Sequence, residues 1–466
     1  MPNPTLRPTR LSPLFLLVVA LAILATACSG GSGSGSDGEA ATSTSTVPPE
    51  PGSPLAVVGA DGSLNLVYAD GATAGRVLST SGATASQPAF SPDGNRLAWS
   101  EIDGEGKAFL AVTDVGGDSS GETRLVSVPF VPFYNGWDPT STRVAMLGNA
   151  PGGVGLAFVE VGEPAGSLSG AEASEVVFAG RPLYVDWRSD GEGLIIHTNG
   201  VVLSVGLDGD HTLVSDTDSA FQSPVRMADG AVLLVQPSGK DGSDELVRID
   251  PSGNTEAVAT VDGPVYLVGD PARERLAVVV LPAGGPGAVD PDAVQVVFRP
   301  NGTAVEARAA AATPVLDVGV HIYDSATGGL SSLLAGERVA AFWSPDGVRL
   351  LTLALDRAAG STSARWEVWE VPRAAELPTR PTDRTDPFTP TATVASAILP
   401  FFDQYADSMT PWSPDGSAFL YAALDAEGRP AIRVRTVANG DAAPESEDPV
   451  AAEGVHAVWS PTPESP

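Results

Sequence analysis

The sequence predicts an all-β fold, a β-propeller closed on itself, and three observations carry that reading. Glycine (51) and proline (41) make up about a fifth of the 466 residues, the proportion of a chain built from short strands and tight turns. One phrase recurs: an aromatic residue, Ser, Pro, Asp, Gly and then an apolar run. Its copies are spaced close to the length of one four-stranded blade. Hydrophobic residues are 43% of the chain, which supplies a core and excludes global disorder. So long a chain also exceeds what a single core usually serves, as a repeat architecture would.

The first element is an export signal over residues 1–27. Arg7 and Arg10 precede an apolar run from Leu14 to Leu24, which is too short to span a bilayer as a helix. Small residues follow, ending in Leu24-Ala25-Thr26-Ala27-Cys28. This resembles the bacterial lipobox, although Ala25 stands where Leu is commonest. The resemblance implies that Cys28 is diacylated and becomes the new N-terminus. Cys28 is also the only cysteine, so it has no disulfide partner within the chain. Two acyl chains give stable anchoring where one is marginal. Residues 28–54 then form the lipidated cysteine and a Gly/Ser/Thr/Pro-rich tether, with nothing to bury.

Residues 55–466 hold the repeat. Close copies are Phe90-Ser91-Pro92-Asp93-Gly94, Trp343-Ser344-Pro345-Asp346-Gly347 and Trp412-Ser413-Pro414-Asp415-Gly416, each leading into an apolar stretch. Trp459-Ser460-Pro461 repeats the opening. Eroded copies are Trp137-Asp138-Pro139, Trp187-Arg188-Ser189-Asp190-Gly191, Ala228-Asp229-Gly230 and Asp270-Pro271. Aligned positions 92, 139, 189, 228, 271, 345, 414 and 461 give steps of 47, 50, 39, 43, 74, 69 and 47. Pro fixes φ and Gly accepts φ > 0, so Pro92, Asp93, Gly94, Asp190, Gly191, Pro345, Asp346, Gly347, Pro414, Asp415 and Gly416 read as structural turn residues. The aromatic before each turn ends an inner strand and can wedge between blades.

The phrase resembles the repeat of TolB-type, WD-like bacterial β-propellers over roughly residues 55–466. That family carries an α/β domain before its blades and is usually soluble, whereas here a bare tether and a lipidation signal precede the ring. The final copy supplies one strand, and Leu55–Val58, Leu64–Tyr68 and Arg76–Leu78 supply strands with no leader. Joined, they make a composite blade that removes exposed sheet edges. The total is eight four-stranded blades; residues 222–236 match poorly, so seven also fits.

Two steps are longer than the mean by about 20 residues, near 282–314 and 377–399. Long excursions on a rigid scaffold are where binding residues tend to sit. After the second comes Leu399-Pro400-Phe401-Phe402-Asp403-Gln404-Tyr405. Phe401, Phe402 and Tyr405 are the candidate binding surface, an exposed aromatic patch; packing of the insertion onto its own blade is the alternative.

No catalytic residue, metal site or cofactor emerges. Gly117-Asp118-Ser119-Ser120-Gly121 fits G-x-S-x-G but lies in a glycine-rich turn with no helix after it. His197, His211, His321 and His456 are not paired at metal-ligand spacing. The acid-rich turns at Asp208–Asp210 and Asp216–Asp218 do not complete a calcium loop. With 57 acidic against 26 basic residues and a net charge of -31, no nucleic-acid partner is expected. The expectation is therefore a bacterial cell-envelope protein, held to membrane lipid through acylated Cys28. It would act as a binding or scaffold protein for an envelope protein, peptide or glycan. The alternative is an enzyme at the channel mouth, a hydrolase or lyase acting on a sugar, lactone or similar small substrate.

Overall fold

The apolar run after each turn becomes a strand buried on both faces: Gly193–Thr198 and Arg275–Val280 are buried at every position. Such strands occupy the middle of a sheet, where neighbouring sheets cover both sides. The strand before each turn is innermost. The computed structural model describes residues 53–461, apart from 69–74, 116–120, 122, 163–172, 182, 217–222, 239–242, 284–313, 357–362, 374–377 and 438–447. Cys28, the export signal, nearly all of the tether, most of the G-x-S-x-G stretch and most of the first excursion lie outside these residues.

The described strands form eight antiparallel sheets, the blades of a propeller. The innermost strands of blades 1 to 8 are Thr84–Phe90, Pro132–Trp137, Leu183–Trp187, Val225–Arg226, Val265–Gly269, Ala340–Trp343, Thr389–Pro390 and His456–Trp459. The poorly matching copy near 222–236 is thus a blade of its own, and the count is the expected eight rather than the alternative seven. Blade 8 is composite. His456–Trp459 pairs with Pro54–Val58, Leu55 opposite Trp459 and Val58 opposite His456, and Leu64–Tyr68 and Arg76–Val77 complete the sheet. Blade 4 gains a fifth strand: Val315–Leu316, at the end of the first excursion, runs parallel to Thr255–Val261 along its outer edge.

The turn between first and second strands is built alike in the close copies. The Ser91, Ser344 and Ser413 hydroxyls donate to Asp93, Asp346 and Asp415 Oδ1 at 2.6, 2.5 and 2.6 Å. The same carboxylate oxygens accept the backbone N–H two residues on. Gly94, Gly191, Gly347 and Gly416 sit at φ of 68–70°, where a side chain is disfavoured. In the eroded copies Ser141 and Arg273 occupy that position, at φ 61° and 54°.

Two side chains of the phrase bind successive blades together. All five repeat tryptophans donate Nε1–H to a backbone carbonyl of the preceding blade, four of them in its inner strand and Trp459 just before that strand resumes. Trp137 reaches Ala89 O, Trp187 Gly136 O, Trp343 Val268 O, Trp412 Phe342 O and Trp459 Pro411 O, at 2.9–3.2 Å. Each acceptor immediately precedes the aromatic position of its own repeat. In the other direction, the arginine opening the second strand reaches the next blade: Arg143 donates to Gly191 O at 3.0 Å and Arg349 to Gly416 O at 3.0 Å. Arg275 does the same to Gly347 O, is fully buried against Asp270 and lies 4.9 Å from the Trp343 ring centroid.

Candidate functional site

The second excursion does not leave the ring. The inner strand of blade 7 is interrupted: Thr389–Pro390 pairs with Leu424 and Ala423, and Trp412 opposite Phe419 resumes the strand. Residues 391–411 lie between. They form a π-helical turn, Val394–Ile398, a 3-10 turn, Leu399–Phe401, and one α-helical turn, Phe402–Tyr405, which we label α1. The sequence placed the excess at 377–399, but that stretch holds the short outer strand of blade 6, Asp383–Arg384, and the start of blade 7.

All four residues of α1 are buried. The Tyr405 hydroxyl donates to Phe133 O in blade 2 at 2.9 Å. Gln404 pairs with both backbone groups of Val185 in blade 3: its Oε1 accepts Val185 N–H at 2.9 Å and its Nε2 donates to Val185 O at 2.8 Å. Asp403 Oδ2 accepts Ser223 N–H, just before the inner strand of blade 4, at 3.1 Å. The Phe402 ring packs on Tyr266 of blade 5 and Phe342 of blade 6, with centroids 5.0 and 6.1 Å away. One helical turn that touches five consecutive blades stands on the ring's axis. The chain fills its own channel.

The candidate aromatics therefore sit elsewhere than expected. Phe402 is 0% and Tyr405 4% exposed, and Phe401 is half-buried against the core. They do not form an exposed patch, because removing three aromatic side chains from water outweighs presenting them on a rim. The turn residues Pro92, Asp93, Gly94, Asp190, Gly191, Pro345, Asp346, Gly347, Pro414, Asp415 and Gly416 all lie in the turns between first and second strands; Cys28 is outside the described residues.

The sequence reading did not single out the polar groups that hold this segment. Arg273, in the left-handed turn position of blade 5, donates to Asp186 Oδ1 of blade 3 at 3.3 Å and to Asp407 just beyond α1. Burial works against the Arg273 charge, but the two carboxylates hold it firmly protonated. Burial likewise pushes the Asp186 carboxyl up, against the pull of Arg273. The one signal available was an arginine at a glycine position of an eroded copy. Asp403 is enclosed more completely. Burial raises its carboxyl to about 7, with only partial relief from backbone N–H groups, and its Oδ1 has no partner among the described residues. Burial and the Asp403 charge together push the Tyr266 hydroxyl up to about 12.

Among the described residues, no group of three or more His, Cys, Asp or Glu is arranged to hold a metal ion. No described helix is long and apolar enough to cross a membrane. A cavity of about 50 Å³ lies between the excursion and blades 6, 7 and 8.

No family model and no curated protein matches the chain. Solved structures do. A eukaryotic initiation factor overlaps 88% of this chain and 98% of its own, at 14% identity and a TM-score of 0.50. That likeness shows the propeller fold alone. TolB from Acinetobacter baumannii covers 76% of each chain at 12% identity and a TM-score of 0.35. An oligogalacturonate lyase in complex with manganese covers 84% of this chain and 83% of its own, at 12% identity and 0.41. Both overlap too loosely to argue from.

Proposed function

We propose that this propeller is a lipid-anchored, extracytoplasmic binding or scaffold protein of the bacterial envelope. Its ring surface would meet an envelope protein, peptide or glycan. The filled axis is the observation that carries the reading. A small-molecule reaction at a channel mouth needs a concave site of several hundred Å³, and here Phe402–Tyr405 occupy the centre. The same observation speaks against the hydrolase or lyase alternative. The N-terminal Leu24–Cys28 segment supports the anchor, and the net charge of -31 favours a soluble, unclustered ring surface over binding to polyanions.

Cross-linking in intact cells, followed by detergent extraction and purification through a C-terminal tag, tests this. Cells carrying wild type are compared with cells carrying Cys28→Ser, and both are labelled with a palmitate analogue. Labelling that depends on Cys28, with a stoichiometric cross-linked partner that is lost on mislocalisation, is the expected result. Label-free wild type, or wild type recovered alone at every cross-linker dose, contradicts it. Deleting the excursion is not a usable control, because that would empty the ring's axis.

A further inference from the structure

The axial segment is a detour with fixed ends. The inner strand of blade 7 leaves its ladder at Pro390 and resumes at Trp412. The Thr391 hydroxyl donates to Val455 O at 2.6 Å, and the Trp412 indole donates to Phe342 O at 3.0 Å. Between these anchors the helical pieces are single turns, so the segment can lift from the channel without unravelling the blade. Most of what seats it is indifferent to pH near neutrality: the Gln404 amide on Val185, the Tyr405 hydroxyl on Phe133 O, and the Phe402 ring against Tyr266 and Phe342. Asp403 is the exception. It is 7% exposed, its Oδ2 accepts Ser223 N–H from blade 4, and its Oδ1 has no partner among the described residues. From blades 3 and 5 the hydroxyls of Tyr184 and Tyr266 face it; burial and then the Asp403 charge push both of them up. No described Arg, Lys or His pairs with it, and Arg273 is held by Asp186 and Asp407. An ionised Asp403 is thus a buried charge with backbone N–H groups and no counter-ion, which a seated segment tolerates poorly.

We propose that residues 391–411 are a latch that seals the channel more firmly in acid than at neutral pH, with the Asp403 carboxyl as its sensor. Seated, the carboxyl holds its proton up to about pH 7; released into water, it returns to an ordinary 3.8. Between those values the seated state carries one proton more than the released one, and each release passes that proton to solvent. The stabilisation of the seated state is therefore complete below about pH 4 and lost as pH rises through about 7. Release remains a rare event throughout, since the neutral contacts and the Arg273 ion pair persist; its frequency is what pH sets. His456 of blade 8 lines a cavity together with Val394, Ile398 and Leu399 of the segment. Burial lowers its imidazole to about 4, so exposing it on release acts in the opposite sense. The Asp403 effect is accordingly read as a difference from a variant that cannot ionise there.

Amide hydrogen exchange of the full chain at pH 5, 6 and 7, corrected for the intrinsic rate at each pH, compares wild type with Asp403→Asn. The protection of residues 399–409 in wild type, divided by that in the variant, should fall about 50-fold from pH 5 to pH 7, the limit set by the seated and released carboxyl. The same ratio for the buried strand Gly193–Thr198 should stay constant. A ratio for 399–409 that does not change with pH overturns the proposal. An equal fall in Gly193–Thr198 overturns it too, because Asp403 would then govern the whole ring and not a latch. If Asp403→Asn fails to fold, His456→Gln removes the opposing group. In that variant residues 399–409 should lose protection over the same range while Gly193–Thr198 does not, and constant protection of 399–409 contradicts the latch.

Discussion

Asp403 and His456 are both buried ionisable groups near the axis, and burial moves them in opposite directions. The Asp403 carboxyl is raised from an ordinary 3.8 to about 7. The folded state therefore holds its proton more tightly than the unfolded chain does. Its contribution to stability is fully present below about pH 4 and is lost as pH rises through about 7. The His456 imidazole is lowered from 6.5 to about 4 by burial. Its contribution is fully present above about pH 6.5 and is lost as pH falls through about 4. Between pH 4 and 6.5 the two slopes oppose each other. Asp403→Asn should raise the thermal midpoint relative to wild type at pH 8 far more than at pH 4, a difference on the order of 4 kcal/mol. His456→Gln should show the reverse, gaining relative to wild type at pH 4. Thermal melts across pH 4–8 check both, and parallel curves for either variant and wild type would contradict the assignment. At this level the sequence was readable where a residue acts locally. The Asp93, Asp346 and Asp415 carboxylates accept hydrogen bonds from the serine and the backbone N–H of their own phrase. It was silent on Asp403, whose properties come from Ser223 and from burial by blades far away in the chain.

Five of the eight repeats carry a backward donor, and several carry a forward one. The tryptophan reaches the blade before, and the arginine two positions after the turn glycine reaches the blade after. This explains why five of the eight tryptophans share one position. Trp343→Phe keeps the ring but deletes the donor to Val268 O and should cost about 1–3 kcal/mol, the penalty of a buried acceptor left unpaired. Denaturant titration measures it; a change within error of zero would reduce the tryptophans to space-filling. Arg273 offers a sharper separation. It holds the left-handed position that other copies give to glycine, at φ 54°, a conformation that costs about 1–3 kcal/mol for a side chain. Arg273→Gly relieves that strain and removes the ties to Asp186 and Asp407. Global stability should change little, while limited proteolysis between residues 391 and 411 should accelerate. Unchanged cleavage there would show that the ion pairs do not hold the axial segment. The excursion itself escaped a correct placement for a physical reason. Asp383–Arg384 and Thr389–Pro390 are strands of two residues each, too short to show alternation within a proline-rich stretch.

The ring as a whole was largely visible in the chain, because closure is a consequence of phase. The last repeat supplies one strand and the first segment three, and Leu55 opposite Trp459 joins them into one blade. The contents of the channel were not visible. Phe401-Phe402-Asp403-Gln404-Tyr405 has the composition of a contact patch, and it is one, but its partners are the inner strands of five blades of the same molecule. No local pattern reports that convergence, since the blades meet only after the ring has closed. The proposed function rests on it: with its axis occupied, the propeller would meet its partner through its surface. Hydrogen exchange of the isolated full chain over residues 399–409 puts that to the test. Protection comparable to that of the inner strands is the expected result, because this segment is packed as part of the ring. Complete exchange within seconds, with the strands still protected, would mean an axis that stands open, and would put the enzymatic reading of the channel mouth ahead of the binding one.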